Sequence, residues 1–280
     1  GDSLIHANCS FEGAEALAEA AQGAPAHQAS LLRRRAGDHY MRAGHFKQGM
    51  ALCREAFRDL NLSFHTSTLV RLLYLAICRL WLTIRGLHFR ERAENEIPAE
   101  QLARLDLLHG CVNSIGAYDA IFGIYCAARG LLMAIRTGEA HRISTWLMRE
   151  AVSVSIGGSI SAWQKGQRIL TTAQDLMERT ANPYASAFLV QIDGSRHYCS
   201  GQWRRASELF DQSEQIYLER CSGVSSELGS VRMMALANAY FLGDLRRLST
   251  QLPKYMGDAE ANSDLRLMVI LGSTSLPVLH

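Results

Sequence analysis

The stretch from Gly194 to Tyr217 reads GSRHYCSGQWRRASELFDQSEQIY, and its spacing decides the fold class. Gly194 and Gly201 stand seven residues apart. Gln202 and Trp203 follow, then Ala206, Phe210, Ser213 and Tyr217, about one residue per helical turn on a single face. This is the pattern of a helix hairpin. Gly201 ends the first helix in the left-handed conformation that only glycine adopts cheaply. Trp203 is then expected to open the return helix and to fill the crossing point, with Ala206 letting the two helices close up. A shorter echo lies upstream, where Gly37, Tyr40, Gly44, His45 and Phe46 repeat the seven-residue glycine spacing and Ala36 supplies the small residue.

Working outward, helical periodicity continues in both directions, and strand signals are nearly absent. Ser10 to Gln22 reads as a short helix. Ala26 to Ala43 and Phe46 to Leu60 form the first hairpin. A very apolar helix runs from Leu69 to Ile84, capped by Ser67 or Thr68 and stopped by Gly86. His88 to Ile97 is a charged, solvated connector. Helices follow from Pro98 to Ile115, Tyr118 to Arg136, His141 to Ser155 and Ser161 to Arg179. Tyr184 to Arg220 holds the organising hairpin, and Val224 to Leu242 with Leu245 to Met256 a further one. Of the five prolines none is expected to interrupt a periodic segment. The turn glycines 44, 138, 201 and 243 therefore mark antiparallel pairs, and stacked pairs predict an all-α α-solenoid. Residues 1–25 read as an N-terminal helix and linker and 26–280 as the solenoid, with Gly157-Gly158 a candidate hinge. The last helix, Asn262 to Leu271, is too apolar to close an array, which leads us to expect a chain cut from a longer one.

Composition removes several function classes. An apolar content of 48% excludes wholesale disorder, and a net charge of +2 gives no field to recruit nucleic acid. The 29 basic residues comprise 26 Arg and 3 Lys, scattered rather than gathered on one face, as codon bias would leave them. Seven dispersed cysteines without C-x-x-C spacing predict reduced core thiols, hence a cytoplasmic protein. The apolar run from Leu69 to Ile84 is short for a membrane span and contains Arg79, so it is expected to be a buried helix and no membrane partner is expected.

The Gly194–Tyr217 unit resembles a tetratricopeptide repeat, with Asp193 and His197 departing from the pattern, as do Gly49 and Cys53 in the first copy. IRGLHFRERAENEIPAEQLARLD (Ile84–Asp106), RTGEAHRISTWLMREAVSVSIGG (Arg136–Gly158) and LERCSGVSSELGSVR (Leu218–Arg232) resemble the helical region of large multidomain bacterial serine/threonine kinases. In those proteins a kinase domain and an NTPase module precede a tetratricopeptide-like regulatory region. The resemblance implies a right-handed superhelix acting as a non-catalytic interaction segment, with kinase and NTPase domains in cis. It also implies a concave face that takes a protein or peptide ligand. Arg34, Asp38 and Arg42 would line it from the first hairpin, and Gln191, Ser195 and Tyr198 from the organising one.

Motifs for chemistry lack their contexts. Gly1-Asp2-Ser3-Leu4 matches the nucleophile block of the GDSL hydrolases, but no strand precedes it and no Asp-x-x-His follows at working distance. Ile156 to Gln167 has Gly157, Gly158, Lys165 and Gly166 without the order of a phosphate loop. Kinase signatures are absent. The ten histidines show no metal-ligand spacing, so neither metal nor cofactor is expected. Cys126 and Cys199 have no basic neighbour in sequence to activate them. Two alternatives stay open: an α/α-barrel enzyme, for which Glu150, Asp193 and Asp211 are the carboxylates nearest apolar faces, and a peptide-binding regulator of the same repeat type.

Overall fold

The computed structural model describes residues 10–156, 158–178 and 182–275, the side chains of 117, 274 and 275 excepted. Among them it is all-helical, with thirteen α-helices and no strand. They are α1 (Ser10–Ala20), α2 (Ala26–Arg42), α3 (Phe46–Asp59), α4 (Thr68–Arg85), α5 (Ala99–Ser114), α6 (Ala120–Thr137), α7 (Ala140–Ser155), α8 (Ile160–Glu178), α9 (Pro183–Cys199), α10 (Trp203–Arg220), α11 (Ser225–Leu242), α12 (Leu245–Ala261) and α13 (Leu265–Ser275). The chain forms two compact units, Gly1–Trp146 and Leu147–His280, dividing inside α7. The GDSL stretch and Gly157 lie outside the described residues.

Turn chemistry explains the helix ends. Glycines 44, 138, 201 and 243 all take positive φ, at 86°, 88°, 74° and 68°, as the pairing pattern requires. Asp119, Asn182 and Asp244 cap α6, α9 and α12, each side chain accepting a hydrogen bond from a first-turn amide.

The first unit is built on α2 and α3, with α1 and α5 packed against α2, and α6 packed against both α4 and α5. The α2–α3 crossing is glycine on glycine: a Cβ on Gly49 would stand 2.5 Å from the Gly37 carbonyl oxygen and 2.5 Å from Met41 Cγ. Gly49, a departure from the repeat pattern, thus matches its own neighbour. Phe46 does not fill that crossing. It stands at the rim, exposed, its ring edge-on to Tyr118 at 5.0 Å. The charged connector is mostly exposed but not loose, since the Arg92 amide donates to the Gly138 carbonyl (2.9 Å).

The second unit pairs α9 with α10, α10 with α11, and α12 with α13, which also packs on α11. Ala206, Phe210, Ser213 and Tyr217 are all fully buried, as their spacing predicts. The crossing is made by Gly194, where a Cβ would lie 2.9 Å from Phe210 Cε1. Trp203 is half-buried rather than the plug; it opens α10 from the rim and stacks on Phe241 of α11 at 5.4 Å. At the first helical position a side chain projects past the end of the crossing instead of into it. Pro253 sits inside α12, which continues through it to Ala261, so this proline does not interrupt the periodic segment, as expected. The final helix starts at Leu265 after a turn with Ser263 at φ 50°. Its Leu267 and Leu271 pack into the cluster of Leu236, Ala239, Leu248 and Tyr255.

Arginine forks tie the helices together. Arg196, fully buried on α9, donates to Ser155 Oγ (3.0 Å), Gln167 Oε1 (3.0 Å) and Asp193 Oδ1 (2.9 Å), and lies 4.3 Å over the Trp163 ring. Arg232 spans Glu214 and Asp258 over Tyr255, and Arg142 grips Asp106 through two 2.8 Å bonds. Planar five-donor geometry suits this bridging better than a lysine, which gives the arginine excess a structural use.

Candidate interaction surface

Two of the faces of α4 are apolar, and only one is covered. The sequence of α4 is TLVRLLYLAICRLWLTIR. Its inner face, Arg71, Cys78 and Leu82, is buried, with Leu75 half-buried between them. These residues recur at three- and four-residue steps and turn toward α6, the helix that α4 packs against. The opposite face leaves Leu69, Val70, Leu72, Leu73, Tyr74, Ile77, Leu80, Trp81 and Ile84 exposed, from 37% to 79% of their surface. The expectation that this helix is buried therefore fails for half of its circumference. A helix apolar all round needs cover on every side, and the first unit supplies it on one.

The inner face is anchored by polar contacts. Arg71 pairs with Asp119, donates from Nε to the His65 carbonyl (2.6 Å) and lies 4.9 Å over the Phe122 ring. Asp119 at the same time caps α6, accepting from the Phe122 amide at 2.9 Å. One carboxylate thus fixes the start of α6 and the first turn of α4. The His65 ring lies against Tyr74 at 4.7 Å and meets Tyr125 edge-on at 5.9 Å. Arg129 donates to the Tyr125 hydroxyl (2.8 Å) and to the Ser63 carbonyl (3.0 Å). Burial, with the charges of Arg129 and Arg71, pulls the His65 pKa down, and burial pushes the Cys78 thiol up. Both shifts favour the neutral side chain, on Cys78 of α4 and on His65 packed against it. These contacts seat the inner face of α4 against α6 and leave the outer face exposed.

The six residues expected on a concave face fall into two trios, one in each unit. Arg34 is half-buried with its side chain against Gly110 of α5. Asp38 and Arg42 pair with each other at 3.1 Å, and Arg42 is buried. Gln191 is buried; it donates to Ser230 Oγ (3.1 Å) and accepts from the Tyr217 hydroxyl (3.3 Å). Ser195 donates to the Gln191 carbonyl (2.9 Å), and Tyr198 meets the Phe241 ring edge-on at 5.8 Å. Gln191 and Tyr198 thus face α11.

Of the carboxylates considered for catalysis, Asp193 is taken by Arg196 (2.9 Å) and Asp211 by Arg247. Among the described residues no group of three His, Cys, Asp or Glu side chains could hold a metal ion. Cys53, Cys78, Cys111 and Cys126 are buried and free, and burial raises the Cys126 thiol far above its ordinary pKa. Among the described residues α6 is the one helix long and apolar enough to cross a membrane, and more than half of it is buried as a core helix of the first unit. No family model, curated protein or solved structure matches the chain.

The α4 face was missed in the sequence because the run was read as uniformly apolar. Its signal is a register: Val70, Leu73, Ile77, Leu80 and Ile84 alternate three- and four-residue steps. That heptad register faces outward.

Proposed function

We propose that this chain is a non-catalytic interaction segment of a larger bacterial signalling kinase or NTPase, working in the cytoplasm, whose helix pairs form a tetratricopeptide-like solenoid. The observation that carries the reading is the outer face of α4. Large exposed apolar patches on otherwise polar surfaces mark sites of association, and this one is held on a helix pinned by Arg71 and Asp119. The paired helices with glycine turns support the same reading, because such scaffolds present surfaces rather than chemistry. Protein is the chemistry such a face takes, and kinase and nucleotide-binding domains of the same polypeptide accompany the segment in cis.

The test is the reading frame that encodes the chain together with a binding measurement. A kinase catalytic domain and a nucleotide-binding module ahead of Gly1 support the placement; a frame without either overturns it. Purified residues 1–280 should neither hydrolyse ATP nor cleave model esters. Esterase activity lost in Ser3→Ala would replace this reading with a hydrolase.

A further inference from the structure

We infer that the outer face of α4 is a two-stranded helix-pairing seam, and that its occupant is α4 of a second copy of this chain, parallel and in register. This deepens the interaction reading above and rests on it. In heptad terms Val70, Ile77 and Ile84 take position a, and Leu73 and Leu80 position d. Every a residue is β-branched and every d residue is leucine, the combination that favours two parallel strands over three or four. All five are exposed, by 37% to 71%. A seam of this composition on a soluble surface is unusual, because a helix needs only its inward stripe to join its own core.

The flanking positions agree. Tyr74 and Trp81 occupy e, and Leu69, Ala76 and Thr83 occupy g. None of these is charged. Charges at e and g normally choose between partners, and without them two identical helices meet with no like-charge repulsion beside the seam. The arginines avoid it, Arg71 and Arg85 at b and Arg79 at c, with Arg71 turned inward to Asp119. Small residues at two of the g positions let the backbones approach.

The area is sufficient. Eight of the nine exposed apolar residues of α4 lie at a, d, e or g, all except Leu72. At their exposures, with roughly 200 Å² for Tyr74 and Trp81 and no more than about 150 Å² for each aliphatic side chain, they offer up to about 700 Å² per copy. Two copies would remove up to about 1,400 Å², within the range of stable specific interfaces. A free helix would have to be ordered on pairing, but this helix is already fixed on its domain, so association does not have to order it.

The experiment is sedimentation velocity of residues 1–280 across micromolar concentrations, with three variants. The wild-type chain should be a dimer. Leu73→Glu with Leu80→Glu, both on the exposed face, should keep the helical circular dichroism and weaken self-association on the order of 100-fold or more. Leu72→Glu, equally apolar in origin but outside the seam, should stay dimeric. Leu80→Cys should cross-link to its own copy under mild oxidation well above the wild-type background, because equal d positions face each other only in the parallel register. A monomeric wild type, a dimer indifferent to the double substitution, or a dimer that does not cross-link through residue 80 overturns the inference. So does a wild-type monomer that sediments with phosphatidylserine vesicles through this face. A monomer whose α4 face is shielded from carbene labelling only inside the parent protein removes self-pairing and leaves the interaction reading standing. A monomer whose face stays open there removes both.

Discussion

Helices α4 and α10 are each 18 residues long, and they resolve the same problem in opposite ways. In α10 the core stripe is Ala206, Leu209, Phe210 and Tyr217 with Ser213 among them, all buried, while Arg204, Arg205, Glu208 and Asp211 face solvent and of the large apolar side chains only Leu218 is exposed. In α4 apolar residues occupy both the inner and the outer face, and only Arg71, Cys78 and Leu82 are buried. The polar half of α10 records that it needs no apolar cover. The apolar outer half of α4 has no such record, and it is on this helix that composition exceeds what the fold consumes. Surplus apolar pattern on a surface helix is therefore more informative about association than the stripe that builds the core.

The largest effect that checks this contrast is at Phe210. It is fully buried and sits on Gly194, so Phe210→Ala should cost about 3–5 kcal/mol in a denaturant titration. A loss under about 1 kcal/mol would mean that α10 does not bury the stripe that defines it. The sharper version uses one residue type on one helix. Leu82 is buried and Leu80, two residues earlier, is 62% exposed. In dilute, monomeric chain Leu82→Ala should cost about 2–4 kcal/mol, and Leu80→Ala should stay within about 0.5 kcal/mol. Equal costs for the two would erase the distinction between an inner and an outer face.

How much of this was legible differs by kind of signal. Backbone punctuation was readable where glycine makes it: glycines 44, 138, 201 and 243 take positive φ because a helix must stop there and only glycine stops it cheaply, whereas Asn61 and Ser263 turn the chain at positive φ without one. The α10 stripe was readable because polar residues frame it. The aromatics after the turns were misread, since Phe46 and Trp203 stand where position in the repeat suggests a plug, while the crossings close on glycine instead. Local spacing does not say which of two neighbours enters a crossing. Nor does it say where long side chains go: Arg42 and Gln191 are buried, which their polarity alone argued against. The α4 register was present in the letters, but a uniformly apolar helix hides its own periodicity, and only exposure separates its two seams.

A smaller effect tests the crossing itself. A Cβ on Gly194 would stand 2.9 Å from Phe210 Cε1 and 3.2 Å from Leu209 Cβ. Neither is the far end of a flexible chain, so Gly194→Ala should cost about 1–3 kcal/mol by overpacking. Added to Phe210→Leu, the same change should cost less than it does alone, because the ring that clashes is gone. Strict additivity of the two would place Gly194 away from Phe210.

The smallest expected effect concerns how α4 is held. His65 lies between Tyr74 of α4 and Tyr125 of α6. Burial first, then the charges of Arg129 and Arg71, lowers its pKa in the folded state. The unfolded chain binds this proton near pH 6.5, so between the two pKa values the unfolded state carries more protons. Stability from this site is therefore complete above about pH 6.5 and declines as pH falls through the folded value. His65→Phe keeps a ring against Tyr74 and removes the titration. The wild type should lose more stability than His65→Phe between pH 7.5 and pH 5, while the two should stay parallel from pH 7.5 to pH 9. If the pH dependence of the two chains coincides throughout, protonation of His65 is not resisted by its surroundings, and the footing of α4 is looser than its contacts with Tyr74, Tyr125 and Arg71 imply.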